Sequence, residues 1–158
     1  MKLSPSLNES INQQILQEYR NSLIYAQIQS FFDELQLKNI AEYFKKQSLQ
    51  EAEHAQKFIK YLNDRTGGKV NIGTVDSPEL ILLSAGQAGG VYVLAEEGTT
   101  ESIESIFELA SDEKSFIDFP FILSMLDEQV EEEDSANEFS IKIKNTTDLV
   151  LFDASLGG

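Results

Sequence analysis

The chain contains no cysteine and no tryptophan, and it uses histidine once. Without cysteine, disulfides, iron–sulfur clusters and thiol chemistry are excluded. Proline is also scarce, with three in 158 residues. The remaining composition, rich in Glu, Gln, Lys, Leu and Ile, is typical of a helix-rich globular protein. This length fits a single domain, 1–158, that can bury a core without a disulfide or a structural metal.

Positive charge is the next scarce property. Lys and Arg number 12 against 27 Asp and Glu, and the net charge is −15. This balance argues against nucleic acid and anionic membranes and favours cationic partners, of which metal ions are the simplest. An acidic surface that serves solubility alone is an alternative that charge by itself leaves open.

Long hydrophobic runs are absent too. No apolar stretch reaches the roughly 18 residues that a membrane helix needs, and MKLSPSLNES has no apolar segment of the kind found in signal peptides. We therefore expect neither a membrane span nor a signal peptide, and we expect a cytoplasmic location.

Helical spacing of apolar residues is what the sequence does contain. It predicts four long helices, with a capping box at SAGQ starting the third and a glycine stop signal at 64–68 ending the second. The tail LVLFDASLGG predicts one further short helix. The four long segments cover about 6–34, 39–64, 84–111 and 115–145.

The connection at 67–83, which contains Gly73 and Ser77-Pro78, is longer than two antiparallel neighbours need. Helices joined short, long, short predict an all-α fold, a four-helix bundle with one long crossover connection and a short C-terminal helix. A second interpretation makes strands of VNIGTV and GGVYVL, although GGVYVL continues directly into a helical pattern.

Each long helix places a glutamate on its apolar face. Residues seven apart share nearly the same face, and each of these glutamates has a large apolar residue seven positions away. An ionised carboxylate in a core costs several kcal/mol unless it is paired or bound to metal. The lysines of the second helix fall mostly off its buried face, so the pattern predicts cations from outside the chain. The four residues are Glu18, Glu51, Glu96 and Glu132.

The only histidine follows one of these glutamates by three residues. At that spacing Glu51 and His54 point the same way on a helix, and mixed carboxylate and imidazole ligands suit iron or manganese. The donors suffice for two ions with Glu51 between them. Taken singly, each feature has a plainer interpretation: an exposed Glu-His pair, a solvated EQVEEED face at 128–134, and core aromatics at Tyr25 and Tyr92. Their coincidence on four helices favours a metal site.

These motifs resemble the bacterial non-haem ferritins along almost the whole chain. The matching patterns are Glu followed by Tyr seven later in the first helix, ExxH in the second, Glu ahead of a T-x-S-I stretch in the third, and EQxEEE in the fourth. They stand at Glu18 and Tyr25, Glu51 and His54, Glu96 with 100–103, and 128–133.

The resemblance implies a ferritin-like fold and a dinuclear ferroxidase centre with two iron ions per subunit. One iron would bind Glu18, Glu51 and His54, and the other would bind Glu51, Glu96 and Glu132. Two further residues have implied roles: Gln129 near the dioxygen position and Tyr25 as an electron donor. A weaker third site would use Gln50, Glu128 and Glu131; position 50 is glutamine where the family usually has glutamate, so we expect this site to bind iron weakly.

The implied function is an iron-storage ferroxidase that oxidises Fe2+ with dioxygen and assembles as a 24-mer shell. No haem is expected, because the haem-binding relatives use a second ExxH and a methionine between subunits, whereas Met1 and Met125 are the only methionines here. Two alternatives stay open: a non-catalytic acidic helical bundle that binds a partner, for which the glycines of the third helix are the best support, and a smaller oligomer that detoxifies iron.

Overall fold

The structure, a computed structural model, describes residues 1–76 and 79–157. The predicted four long helices and short terminal helix are confirmed, and the strand interpretation is wrong, because residues 89–94 lie inside a helix and no described residue is in a strand. Ser77 and Pro78 of the predicted crossover lie outside the described residues. The helices are α1 (Pro5–Glu34), α2 (Lys38–Asp64), α3 (Ala85–Asp112), α4 (Phe119–Asn145) and α5 (Leu149–Leu156), with a 3₁₀ turn at Phe116–Asp118.

Two separate apolar cores show how the four long helices run. Core A contains Leu7, Ile11, Phe58, Ile106 and Met125, among others. Core B contains Tyr25, Phe44, Tyr92, Ala136 and Phe139, among others.

Chain order then fixes the direction of each helix. Helices α1 and α4 pass from core A to core B, while α2 and α3 pass from core B to core A. Since α2 and α3 run the same way, the connection between them must travel the length of the bundle, and the predicted long crossover is confirmed.

The first half of this crossover is tied to α1 by two asparagines. The Asn12 side chain donates to the Lys69 carbonyl at 2.8 Å and accepts from the Asn71 amide at 2.7 Å. One turn earlier, Asn8 Oδ1 accepts from the Lys69 amide at 2.8 Å. These bonds satisfy backbone groups that have no helix or sheet partner, so the crossover lies against α1.

Glycine in α3 is explained by its packing on α4. A Cβ atom added at Gly89 would lie 3.1 Å from both the Ser140 Cα and the Ile143 Cγ2. The absence of a side chain therefore lets the two helices approach closely. Ser84 caps α3 by accepting from the Gln87 amide at 3.2 Å, as predicted, and α3 is continuous from Ala85 to Asp112.

A buried ion pair joins the end of α2 to the start of α4. Arg65 donates from Nε to Asp118 Oδ1 at 2.7 Å and from Nη2 to Oδ2 at 3.3 Å. Ser115 Oγ donates to Oδ2 at 2.6 Å, and the Tyr61 hydroxyl donates to Oδ1. Burial by itself would raise the pKa of Asp118, but the hydrogen bonds from Arg65, Ser115 and Tyr61 outweigh it and hold that pKa below its usual value.

Arg65 extends this corner to the N-terminus, where its Nη1 donates to the Met1 carbonyl at 2.6 Å. None of the helices among residues 1–76 and 79–157 combines the length and the apolar character that a membrane crossing requires.

Candidate metal centre

A polar layer divides the two cores at the middle of the bundle. On each long helix the carboxylate predicted to be buried stands between the residues of core A and those of core B. Glu18, Glu51 and Glu96 have no exposed surface, and Glu132 is 7% exposed. Four helices thus bring four acids to one level, where apolar residues above and below exclude water.

The side chains of this layer form two overlapping triads. Oxygen or nitrogen atoms of Glu18, Glu51 and His54 lie within 4.8 Å of one another, as do oxygens of Glu51, Glu96 and Glu132. His54 Nδ1 is 3.6 Å from Glu51 Oε2 and 3.8 Å from Glu18 Oε2. Glu51 belongs to both triads, which is the arrangement needed for two ions that share one carboxylate.

The facing atoms of these triads lack hydrogen-bond partners. Within the described part of the chain, both oxygens of Glu51, Oε2 of Glu18 and Nδ1 of His54 are buried and accept or donate nothing. Buried polar atoms nearly always have a partner, and each exception calls for an explanation. Several unpaired acceptors directed at one space fit divalent cations, and this carboxylate and imidazole set fits iron or manganese.

Burial gives these carboxyl groups unusual acidity when no cation is present. It raises the pKa of Glu18 above its ordinary value and that of Glu51 well above it, with the neighbouring Glu18 and Glu96 adding to the rise for Glu51. Burial, followed by the charges of nearby glutamates, raises the pKa of Glu132 to about 7. The centre therefore holds protons near neutral pH, and a binding cation must displace them.

This acidity makes the stability of the metal-free protein depend on pH. A carboxyl group whose pKa is raised in the folded state stabilises the fold below its unfolded pKa near 4.5, and the contribution is lost as pH rises through about 7. We expect the metal-free protein to gain roughly 2 kcal/mol from Glu132 between pH 8 and pH 5.5, after allowance for solvent screening.

Thermal unfolding of the metal-free wild type and Glu132→Gln across this range checks that expectation. The variant keeps a side chain of the same shape that does not titrate, so the difference between the two proteins isolates this group from the rest of the acidic surface. A difference that stays constant with pH would contradict the assignment.

The two oxygens of Glu96 are oriented by separate donors. The Tyr25 hydroxyl donates to Oε1 at 2.6 Å, and Gln129 Nε2 lies 3.2 Å from Oε2. Gln129 also lies 3.2 Å from Thr100 Oγ1, which positions its amide. Burial raises the pKa of Tyr25 well above its usual value, with the Glu96 charge adding to the effect, so the hydroxyl keeps its proton and donates it to the carboxylate. Tyr25 and Gln129 thus lie at the centre, where the sequence placed them.

The three residues of the implied third site are not assembled in the same way. Gln50 Nε2 donates to Glu132 Oε1 at 2.5 Å, and Glu128 is paired with Lys57. Glu131 is exposed and belongs to neither triad.

Two residues of the site escaped the sequence analysis. Gln14 is fully buried and donates to Glu18 Oε1 at 3.1 Å, while Ser102 donates to Gln14. A signal for Gln14 existed, because it precedes Glu18 by four residues on the same helical face. The other is Lys57, which reaches Glu128 across the bundle although its position is off the buried face of α2.

Comparisons with known proteins give one consistent result. A family model described as a ferritin-like domain matches residues 8–145. The bacterial non-heme ferritin of Staphylococcus aureus (strain USA300) is 30% identical over 131 residues, which cover 83% of this chain and 78% of that protein. The chloroplastic ferritin-1 of Brassica napus is 30% identical over 151 residues, 90% of this chain but only 59% of the plant protein.

Among solved structures, an open pore ferritin from the archaeon Archaeoglobus fulgidus superimposes with a TM-score of 0.93. It is 29% identical in sequence, and the match covers 98% of each chain. The likeness therefore includes the crossover and the terminal helix as well as the four long helices.

Proposed function

The chain belongs to the ferritin-like domain family, and from that premise we propose that it is an iron-storage ferroxidase. It oxidises Fe2+ to Fe3+ with dioxygen at the two triads and stores the ferric product inside a shell of many copies. The observation that carries this proposal is Glu51, a fully buried carboxylate with both oxygens unpaired and shared by two sets of ligands.

In this proposal iron is the substrate and the cargo. One Fe2+ binds Glu18, Glu51 and His54, and the other binds Glu51, Glu96 and Glu132, two ions per subunit. Hard anionic oxygens bind Fe3+ more strongly than Fe2+, so these ligands favour loss of one electron from each ion. The surrounding apolar cores exclude water, which strengthens this electrostatic preference.

Tyr25 and Gln129 act beside the ions. Gln129 holds the outer face of Glu96 and stands near the position at which dioxygen would enter. Tyr25 gives one further electron, and its hydroxyl proton passes to Glu96, to which it is already hydrogen bonded.

Storage requires assembly, and we propose a closed 24-mer of 1–158 acting as one ferritin-like di-iron domain in the cytoplasm. Two observations support assembly: the close superposition on a solved ferritin, and large apolar side chains left exposed on the crossover, on α3 and α4, and on α5. Such exposed apolar surface commonly marks protein contacts. These side chains are Ile81, Leu83, Leu94, Val130, Ile141, Val150 and Leu151.

Two measurements test the function against its rivals. Mixing the metal-free protein with Fe2+ in air should produce the near-ultraviolet absorbance of ferric iron faster than protein-free buffer does. Size-exclusion chromatography with light scattering should show a particle of about twenty-four subunits. A non-catalytic bundle would fail the first measurement, and a smaller detoxifying oligomer would pass the first and fail the second.

The Gln50→Glu variant should bind a third divalent ion more tightly than the wild type, by about tenfold, because it places a full negative charge beside Glu132. Equilibrium dialysis with Zn2+, which does not change oxidation state, measures this directly. Gln56→Glu is the matched control: it makes the same charge change on an exposed residue of α2. Equal third-ion binding in wild type and Gln50→Glu would refute the prediction.

A further inference from the structure

One side of the metal centre, between α2 and α4, is closed by two pairs of side chains that cross the bundle. Gln50 donates to Glu132, and the Lys57 ammonium contacts Glu128 Oε1. Between these pairs lies His54, whose Nε2 is 3.5 Å from Glu128 Oε2. Glu128 therefore connects a fixed positive charge to the imidazole of the first triad.

The second oxygen of Glu128 shows that this position is suited to a cation. Glu128 Oε2 is buried and forms no hydrogen bond within the described part of the chain. It faces the imidazole nitrogen that the first triad leaves unused, because the atom directed at Glu18 and Glu51 is Nδ1. A carboxylate oxygen and an imidazole nitrogen at this distance form two arms of a further ion position.

Outside this position a cavity of about 410 Å³ leads to solvent. Its lining includes Lys57 and Lys60 together with Tyr61, Phe121 and Glu128. A cation that approaches the centre from this face meets two ammonium groups before it meets Glu128. Lys60 is paired with Asp64 by the helical i, i+4 spacing, whereas Lys57 is directed across the bundle.

We propose that Lys57 sets the number of ions that the centre binds. Its ammonium takes the place of a third cation beside Glu128 and His54, and it thereby limits each subunit to two tightly bound divalent ions. The inference deepens the proposed function and rests on it, since it presupposes that the two triads bind ions.

Charge explains why Lys57 and a third ion exclude each other. Glu128 offers one negative charge, and an ion bound to it would lie within a few ångströms of the ammonium unless Lys57 moved away and gave up its partner. Gln50 does not help, because it presents an N–H donor to Glu132 rather than an anionic ligand. Lys57 is therefore expected to weaken third-ion binding more than Gln50 does.

The test is the stoichiometry of Zn2+ bound per subunit to the assembled metal-free protein, measured by equilibrium dialysis at an ionic strength that suppresses surface binding. We expect two tight ions in the wild type and three in Lys57→Met, which keeps the length of the side chain and removes its charge. The third ion should bind at least about tenfold more tightly in Lys57→Met than in the wild type, a larger gain than in Gln50→Glu.

Matched variants separate this effect from a general change in charge. Lys60→Met removes the same charge from the same cavity and should stay at two ions, as should Lys57→Arg. The double variant Lys57→Met with Glu128→Gln should lose the third ion again.

Three results would overturn the inference. They are a wild type that binds three tight ions of which Glu128→Gln removes one, a Lys57→Met variant that stays at two, and an equal gain in Lys60→Met. In each case the proposed function stands, because two ions still occupy the triads. A wild type that binds fewer than two tight ions would instead reject the proposed function and the inference with it.

Discussion

Replacing Glu51 with glutamine is expected to lower the initial rate of aerobic Fe2+ oxidation by at least about 100-fold. Glu51 is shared by both triads, so one substitution removes an anionic ligand from each ion. No other residue of the centre belongs to both sets, and we expect no other single substitution there to weaken both ions directly.

The same variant should fold at least as well as the wild type when no metal is present. Burial raises the pKa of Glu51 well above its ordinary value, so the metal-free protein holds this group in its neutral form. Glutamine is neutral and of nearly the same shape, and it does not restore a charge that burial disfavours. Loss of oxidation without loss of thermal stability would therefore separate a ligand from a packing residue.

Stopped-flow absorbance of the ferric product measures the rate, and Glu53→Gln supplies the control. Glu53 is two residues further along α2 and exposed, so this substitution makes the same change in charge outside the centre. Oxidation by Glu51→Gln at the wild-type rate, or an equal loss in Glu53→Gln, would contradict the assignment of Glu51 as the shared ligand.

Replacing Arg65 with alanine is expected to have the largest effect on stability, a loss of about 3 to 5 kcal/mol. The reason is the partner that remains. Asp118 is fully buried, and without the guanidinium only the hydroxyls of Ser115 and Tyr61 still donate to it. Because Arg65 also donates to the Met1 carbonyl, the substitution loosens the N-terminus from the same corner.

Thermal unfolding at a fixed protein concentration measures this loss, which corresponds to a midpoint lower by on the order of 10 °C. Arg20→Ala is the matched control, since Arg20 is exposed and its removal should change stability little. Arg65→Lys should fall between them, because an ammonium keeps the charge but not the two-pronged geometry. A melting point for Arg65→Ala equal to that of Arg20→Ala would show that the pair does not stabilise the fold.

Acid should narrow the gap between Arg65→Ala and the wild type. The pKa of Asp118 is lowered in the folded protein, so the pair stabilises the fold above the unfolded pKa near 3.8, and this contribution is lost as pH falls through the lower folded value. In the variant, burial is no longer opposed by Arg65, and protonation of Asp118 at mildly acidic pH removes the unpaired charge.

Periodicity was sufficient for the helices because each one buries a single face, and the 3.6-residue repeat records that face in the chain itself. The ends of α1, α3 and α5 lie close to the predicted ones for the same reason, since proline and serine near a helix start act locally. The crossover was predictable from length, because a connection that long has no use between antiparallel neighbours.

Local patterns also identified the acids of the centre. Glu18, Glu51, Glu96 and Glu132 stand at apolar positions of their own helices, so a buried position for each could be read without knowing its neighbours. His54 was found by its spacing from Glu51, which is again a property of one helix.

Contacts between helices are not written in any single repeat, and only the tertiary structure decided them. The sequence determined that four helices each bury an acid; the packing decided that those acids meet as two triads with Glu51 in both. It also decided that Lys57, off the buried face of α2, reaches Glu128 on α4, and that Gln50 donates to Glu132 rather than offering a ligand. The physical reason is that a long side chain at the edge of a helical face has several directions open to it, and only the neighbouring helix selects one.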